Sequence, residues 1–509
     1  MLAEVRCPVH LIAITLAYLA GEPGRAASPP GPAPFSFATV RDEAAAAAKA
    51  EYRPPANRMP DYLKNLSYDA YQAIRYLRGE GPWKEDKLKF TFQFFHPGFL
   101  YQDQVLVHLV EDGHVKDFQF SQSQFEYGTN KFPEPLPNSL HFAGLRILYP
   151  VNAPTKQDEV ASFVGASYFR LLGKGQRYGV SARALAIDTA EPTGEEFPRF
   201  TEFWIEKPAP EATSLKFFAR LDSPSATGAY QFLLTPGTVT VLDVDADVFL
   251  RKDVRKLGLA PLTSMFLVGA NRTRCFLDYR PEVHDSDGLL LQTATGEWEW
   301  RPLINPEKTF HISHFPGDHI KGFGLLQRQR DFAYYQDLGA RYDLRPDLWF
   351  APRQSWGAGT LELVEIPTPN EWNDNIVAYW VPAEKASAGR QFHLAYSLSA
   401  SLDDPPRNPL LSAHSTRIDP PQNGKPPRFF VDFIGRAPVV LAPDAALTAR
   451  ITPSRGDVRN LVIEPNDVTG GWRAFFDLVA PGTDSVQMRG TLNLGEKALS
   501  ETWLYLWLP

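Results

Sequence analysis

The chain has 509 residues, of which 44% are hydrophobic and 22% are charged, as expected for a folded protein with a sizeable core. Its net charge of −7, without any basic block, argues against a nucleic-acid-binding surface. Aromatic residues make up 13% of the chain. Its 45 prolines among 509 residues are also a larger share than the usual value of about 5%. Because aromatic residues favour pleated sheets and proline marks turns and edge strands, this composition predicts β-structure.

The first predicted element is an apolar run at residues 11–20, which is too short for a membrane span of about 20 residues. Arg6 precedes the run, and small residues with glycine and proline follow it. This is the layout of a secretory signal peptide, so we predict a signal over residues 1–27 and export of the mature chain. A buried N-terminal helix is the alternative. No other stretch is long and apolar enough to span a bilayer, so we expect no stable membrane insertion.

Two helices are predicted next, followed by a long series of strands. Residues 41–51 are alanine-rich with acidic residues in the first turn, and residues 67–77 place apolar side chains on one helical face. From residue 88 the hydrophobic period is two, and Asp112-Gly113 predicts a hairpin turn. Strands are predicted at 88–94, 105–109, 115–120, 200–205, 215–221, 230–234 and 238–244. No long helical pattern separates them, so the fold class is predicted to be all-β rather than parallel α/β.

The C-terminal part of the chain is predicted to form a separate small domain. Residues 401–425 are polar and proline-rich, which is typical of a linker. Residues 426–509 contain short strand candidates at regular spacing. Their length and spacing suit an immunoglobulin-like sandwich that lacks the usual disulfide.

The metal-site and nucleotide-site motifs that we considered fail on inspection. Asp243, Asp245 and Asp247 resemble the start of a calcium loop, but its glycine and closing glutamate are absent, and alternation places these aspartates on the solvated face of a strand. His311 and His314 are three residues apart in a predicted strand, so they point to opposite faces. We therefore predict no metal and no cofactor.

Residues 271–382 are unusually rich in tryptophan and in acidic residues beside turns. They hold six of the eleven tryptophans: Trp298, Trp300, Trp349, Trp356, Trp372 and Trp380. The acidic residues are Asp285, Asp287, Glu371 and Asp374. Sugar rings pack on aromatic faces, and cleavage of a glycosidic bond needs two carboxyl groups. A carbohydrate site and a tryptophan-rich core with turn-capping aspartates both fit this pattern.

Several long segments are similar to one known family. They read EVASFVGASYFRLLGKGQRYGVSARALAIDTAEPTGEEFPRFTEFWIEKP at 159–208, DYRPEVHDSDGL at 278–289, GEWEWRPLINP at 296–306, GFGLLQRQRDFAYYQDLGARYDLRP at 322–346 and LVEIPTPNEWNDNIVAYW at 363–380. These segments resemble the OpgG/OpgD (MdoG/MdoD) family, whose members make osmoregulated periplasmic glucans. The likeness runs from about residue 35 to the end of the chain. The chain lacks the twin-arginine signal of OpgD-type proteins, which favours the OpgG type.

The resemblance implies a fold, a compartment and a substrate. It implies a large galactose-mutarotase-like β-sandwich over residues 35–400, followed by the immunoglobulin-like β-sandwich. It further implies a periplasmic protein that binds β-1,2-linked glucan and cleaves it as an anomer-inverting glycoside hydrolase. Two alternatives stay open: a transglycosylase that closes or branches glucan chains, and a non-catalytic scaffold that guides nascent glucan at the membrane glucan synthase.

The resemblance also implies roles for individual residues. Asp374 matches the general acid of the family, Asp285 matches its general base, and Tyr342 matches a tyrosine near the reaction centre. Glu371 lies three residues before the acid. We expect substrate contacts from Glu371, Arg280, Trp298, Trp300, Trp349, Trp356 and Trp380.

Overall fold

A computed structural model describes residues 34–55, 59–271, 277–403, 408–435 and 447–509, and these residues are mainly β-structure. Strands account for 49% and helices for 7%, so the predicted all-β fold class is confirmed. The signal peptide predicted over residues 1–27 lies outside the described residues.

The α-helices among the described residues lie near the N-terminus, whereas the 3-10 helices are spread along the chain. They are the α-helices Phe37–Ala48, Asp61–Lys64 and Tyr68–Gln72 and the short 3-10 helices Gln122–Gln124, Phe332–Tyr334 and Tyr342–Leu344. The helix predicted over 67–77 ends at Gln72, and its last residues form the strand Arg75–Tyr76 instead. Tertiary packing explains the change, because the Tyr76 ring contacts the rings of Phe94 and Phe125 at 5.5 and 5.1 Å.

Two large sheets form the body of the protein. One sheet has ten strands, nine of them in the order Thr91–Phe95, Gly144–Ala153, Lys156–Val164, Tyr168–Leu171, Ser181–Arg183, Leu257–Ser264, Ile376–Pro382, Ala358–Glu365 and His311–Asp318, with Leu185–Ile187 also pairing with Leu257–Ser264. The inner faces of the two sheets share one core, where Phe163 of this sheet contacts Phe217 and Phe232 of the other at 5.4 Å. The two sheets therefore form a β-sandwich.

The second sheet has fifteen strands and includes strands from both the central and the C-terminal parts of the chain. Its order is Leu447–Pro453, Val486–Leu494, Thr502–Trp507, Trp298–Pro302, Gly288–Gln292, Gly322–Leu326, Asp347–Pro352, Gln391–Ser401, Thr240–Leu250, Ala226–Thr235, Leu215–Asp222, Arg199–Glu206, Leu106–Glu111 and His114–Asp117, with Lys497–Ala498 beside Val486–Leu494. Side chains alternate along Thr240–Leu250, where Leu242 and Val244 are buried and Asp243 and Asp245 lie on the other face. Asp247 is the exception, since it is buried and accepts hydrogen bonds from Gln391 and His393.

The C-terminal strands form a smaller sandwich on one end of this long sheet. Its second layer has the order Ser412–Asp419, Arg428–Ile434, Gly471–Val479 and Asp457–Asn466. Phe429 of this layer packs against Tyr505 of the long sheet at 5.6 Å, within a core separate from that of the large sandwich. The first of these strands lies within the predicted linker 401–425, and Thr502–Trp507 pairs in parallel with Trp298–Pro302. The division into two domains stays a prediction.

Two small sheets complete the described structure. Arg75–Tyr76 pairs with Phe125–Glu126, and Phe266–Val268 pairs with Val283–His284. The second of these hairpins lies beside the strand Leu257–Ser264 and leads directly into Asp285. The predicted functional residue Asp285 therefore directly follows this small sheet.

Candidate active site

Asp285 and Asp374 come together from separate parts of the chain. Asp285 follows the strand Val283–His284, and its backbone N–H donates to the carbonyl of Met265 at 2.8 Å. Asp374 lies in the loop before the strand Ile376–Pro382. The two carboxyl groups are close enough that the negative charge of Asp374 raises the pKa of Asp285. The sequence-predicted acid and base therefore share one site.

Burial and a neighbouring cation act in opposite directions on Asp285. Its carboxyl group is enclosed, and the loss of hydration raises its pKa above the usual range. Arg345 donates a hydrogen bond to Oδ1 and lowers the pKa, although the rise prevails. Arg345 therefore favours the carboxylate form of Asp285 and opposes the effect of burial.

Asp374 keeps contact with solvent although protein surrounds it on its other sides. Its side chain is exposed at the mouth of the site, yet desolvation by the enclosing protein is the main effect and raises its pKa. Arg170, Arg345 and Arg183 lower the pKa in part. An accessible carboxyl with a raised pKa is suited to donating a proton.

Arg170 and Arg183 are held in place by neighbouring strands of the ten-stranded sheet. The Nε of Arg170 donates to Ser181 Oγ at 2.8 Å, and Nη1 of Arg183 donates to Glu195 Oε1 at 2.6 Å. No motif or spacing in the sequence singles out these two arginines or Arg345. Arg170 and Arg183 are brought together by the pairing of strands Tyr168–Leu171 and Ser181–Arg183 in the folded protein.

Tyr342 is placed by a tight backbone turn and by stacking. It begins a 3-10 helix after Arg341, whose φ of +46° is a left-handed conformation. The guanidinium of Arg345 lies 4.2 Å from the centre of the Tyr342 ring, and the Tyr342 carbonyl accepts from Gln327 Nε2 at 2.7 Å. Burial raises the pKa of Tyr342 far above the neutral range, so its phenol stays protonated and can donate a hydrogen bond.

Two buried asparagines fix the loop that carries Asp374. Asn375 accepts from the backbone N–H of Phe266 at 2.8 Å and donates to the carbonyls of Phe266 and Ile366 at 3.0 and 2.9 Å. Asn305 donates to the carbonyl of Thr368 at 2.9 Å and accepts from its N–H at 3.0 Å. Both ends of the loop are therefore anchored to the β-structure, which positions the carboxyl between them.

His284 lies beside the candidate base in a buried polar cluster. Its Nε2 is 3.0 Å from Glu282 Oε2 and 3.3 Å from Asp287 Oδ1, and its Nδ1 is 2.7 Å from Gln327 Oε1. Burial lowers its pKa, but the two carboxylates outweigh that effect and raise the pKa to about 9. One potential ligand atom from each of Glu282, His284 and Asp287 lies within 4.8 Å of the other two. Among the described residues, these three side chains form the group that could hold a metal ion. A protonated His284 already pairs with both carboxylates there.

The predicted substrate-binding residues fall into two groups. Arg280 and Glu371 form an ion pair near the aspartates, and both act electrostatically on Tyr342. The predicted tryptophans lie elsewhere, in the two hydrophobic cores or packed against them: Trp298, Trp300, Trp349, Trp356 and Trp380.

Three of these five tryptophans are buried and two are half-buried against the cores, which gives them a packing role. Trp300 and Trp380 are fully enclosed, and Arg328 lies 3.5 Å from the Trp300 ring centre. Trp298 is buried 5.6 Å from the half-buried Trp349, measured between ring centres. Trp356 packs on Phe350 at 4.7 Å. Trp372, two residues before Asp374, is exposed, although the sequence analysis did not include it among the expected substrate contacts.

Comparison with known proteins decides the family. The family model described as "Periplasmic glucan biosynthesis protein, MdoG" matches residues 35–507. The chain belongs to this family. It is 45% identical to "Glucans biosynthesis protein G" of Ralstonia nicotianae over 93% of this chain and 96% of that protein. The proteins of the same name from Pseudomonas paraeruginosa and Rhodopseudomonas palustris are 44% and 43% identical, covering 92% and 95% of this chain and 92% and 96% of theirs.

Membership in the MdoG family confirms the resemblance seen in the sequence. The description of the family also agrees with the predicted periplasmic location and with a part in glucan biosynthesis. Within the described residues, no helix has the length and apolarity to cross a membrane. The paired aspartates, their arginines and Tyr342 lie within the matched region.

Proposed function

We propose that this protein acts in periplasmic glucan biosynthesis as an anomer-inverting endo-glucanase on the β-1,2-linked backbone. Asp374 is the general acid and Asp285 the general base. The observation that carries this proposal is the meeting of two carboxyl groups of raised pKa, one exposed and one enclosed, with Arg345 beside both. Inverting hydrolysis needs an acid that holds its proton and a base that has lost it.

The difference between the two environments is compatible with these roles. Asp374 donates its proton to the glycosidic oxygen as the bond between that oxygen and C1 breaks. A water molecule attacks C1 from the opposite face and loses a proton that ends on Asp285. Because Asp285 is enclosed and bonded to Arg345, we expect this proton to arrive through a relay. One water is consumed, and the β-linkage yields an α-anomer.

Product analysis tests the proposal. Incubation with linear β-1,2-glucan should give shorter chains whose new reducing ends are first in the α-form, as followed by NMR. Ring products would identify a transglycosylase instead. An unchanged substrate that nevertheless binds would identify a scaffold, with the membrane glucan synthase as the partner to examine.

Asp374→Asn is the matched variant for this experiment. It keeps the shape of the side chain but cannot donate a proton, so turnover should fall by about 10²–10⁴-fold. Binding of the glucan should persist, since the amide fills the same space. Near-normal turnover by this variant would contradict the assignment of Asp374.

A further inference from the structure

Arg280 ties three separate loops together beside the candidate active site. Its Nε and Nη2 donate to the carboxylate of Asp278 at 3.0 and 2.7 Å, and its Nη1 donates to Asp337 at 2.9 Å. Its Nη2 also donates to Glu371. The Asp337 carboxylate additionally accepts hydrogen bonds from the backbone N–H groups of Gly339 and Ala340. It therefore joins Arg280 to the loop that follows Asp337.

Each of these loops exposes a large apolar side chain next to its acidic residue. Tyr279 follows Asp278 and is 76% exposed, Leu338 follows Asp337 and is 81% exposed, and Trp372 follows Glu371 and is 83% exposed. Arg280 thus holds three apolar side chains at the surface, and its guanidinium lies 5.9 Å from the Tyr279 ring centre. Clusters of this kind on a protein surface mark binding sites. We name Tyr279, Leu338 and Trp372 the Arg280 platform.

We propose that the Arg280 platform is a binding subsite for the sugar rings of the glucan chain, beyond the two glucose units joined by the bond that is cut. This inference rests on the proposed function and extends its substrate contacts. Aromatic faces pack on the C–H faces of pyranose rings, and the polar groups at their edges bind hydroxyls. The platform offers both, because Asn370 and Asn373 flank Trp372 in the same loop.

Continuity with the catalytic carboxyls favours a glucan over a protein partner. Trp372 lies two residues before Asp374 in one anchored loop. The charges of Glu371 and Arg280 both act on Tyr342, so the platform and the reaction centre adjoin. A chain bound across Asp374 would therefore pass over the platform.

Affinity measurements on the full chain test the inference. With linear β-1,2-glucan as the probe and the Asp374→Asn background to prevent cleavage, Trp372→Ala and Tyr279→Ala should each weaken binding about five- to tenfold in calorimetry. The loss should be larger for long chains than for a trisaccharide. Trp372→Phe, which keeps an aromatic face, should recover most of the affinity. Val468→Ala removes an equally exposed apolar side chain (95%) in the C-terminal domain and should change nothing.

The outcomes separate this inference from the proposed function. Unchanged affinity in Trp372→Ala and Tyr279→Ala would overturn the platform as a sugar subsite while leaving hydrolysis intact. Failure of the Asp374→Asn parent itself to bind β-1,2-glucan would overturn the proposed function and the subsite together. If Trp372→Ala binds glucan normally but no longer associates with a protein partner in a pull-down, the platform is a protein interface.

Discussion

At the scale of single residues, Arg345 is the described cation that interacts with all three candidate catalytic residues, Asp285, Tyr342 and Asp374. It donates to Asp285, lies against the Tyr342 ring, and lowers the pKa of both Asp285 and Asp374. Burial raises both of these pKa values, so Arg345 limits the rise. A reaction that needs one acid and one base gives a pH profile with one limb on each side of the optimum.

Arg345→Gln should therefore move the pH profile of turnover to higher pH. Loss of the cation disfavours both carboxylates, so the acidic limb, where the base gains its proton, and the alkaline limb, where the acid loses its proton, should each rise by about one pH unit. Arg345→Lys keeps the positive charge and should show a smaller shift. A profile that stays in place or moves to lower pH would contradict this role. Steady-state rates with linear β-1,2-glucan across the pH range provide the measurement.

At the scale of elements, the loop between Ala358–Glu365 and Ile376–Pro382 is irregular in backbone but fully anchored. Asn375 replaces strand pairing by bonding to three backbone groups of Phe266 and Ile366. A buried backbone group left without its partner costs about 1–3 kcal/mol. The asparagine therefore links the position of Asp374 to the hairpin that leads into Asp285.

Asn375→Ala should lower both stability and activity. We expect the free energy of unfolding to fall by about 2–4 kcal/mol in a urea titration, since three backbone groups lose a buried partner. Asn375→Asp keeps the acceptor for Phe266 N–H but loses the two donated hydrogen bonds, so it separates the two contributions. Stability equal to that of the wild type in Asn375→Ala would show that the loop is held by other contacts.

At the scale of the whole molecule, the C-terminal strands are joined to the large sandwich by several independent contacts. Arg328 of the large sandwich forms a buried ion pair with Glu501 and donates a hydrogen bond to the carbonyl of Ala413 at 2.9 Å. Thr502–Trp507 continues the fifteen-stranded sheet through its pairing with Trp298–Pro302. Covalent continuity of the chain is thus only one of the links between the two parts.

Cleavage in the exposed turn at residues 420–425 should leave the protein assembled. Brief treatment with proteinase K should give two fragments, the smaller of about a hundred residues or less, that elute together in size-exclusion chromatography. Glu501→Gln breaks the buried ion pair, at a cost of about 3–5 kcal/mol, and should let the nicked fragments separate at lower urea. Fragments that separate without denaturant would contradict this link between the two parts.

The amino-acid sequence by itself determined the fold class and the family, and it predicted Asp285 and Asp374 as candidate functional residues. Period-two alternation is a local property, so strands such as Leu215–Asp222 were predicted within a residue or two. Where small residues replace large apolar ones, as in the first residues of Ala226–Thr235, the period-two alternation of apolar and polar side chains is lost. There the strand is stabilised by the helix Phe37–Ala48, through the bond from Thr227 to Ala44 at 2.7 Å.

Only the tertiary structure decided which aromatic side chains are exposed and which charged residues lie near the two candidate aspartates. Trp300 and Trp372 are the same residue type in the same tryptophan-rich segment. In the structure, however, Trp300 is buried in a core and Trp372 is exposed to solvent. Likewise Arg170, Arg183 and Arg345 have no distinguishing spacing, and their common action on Asp374 arises from strand pairing and loop anchoring. Burial and long-range proximity depend on the packing of distant segments, which no local pattern in the sequence encodes.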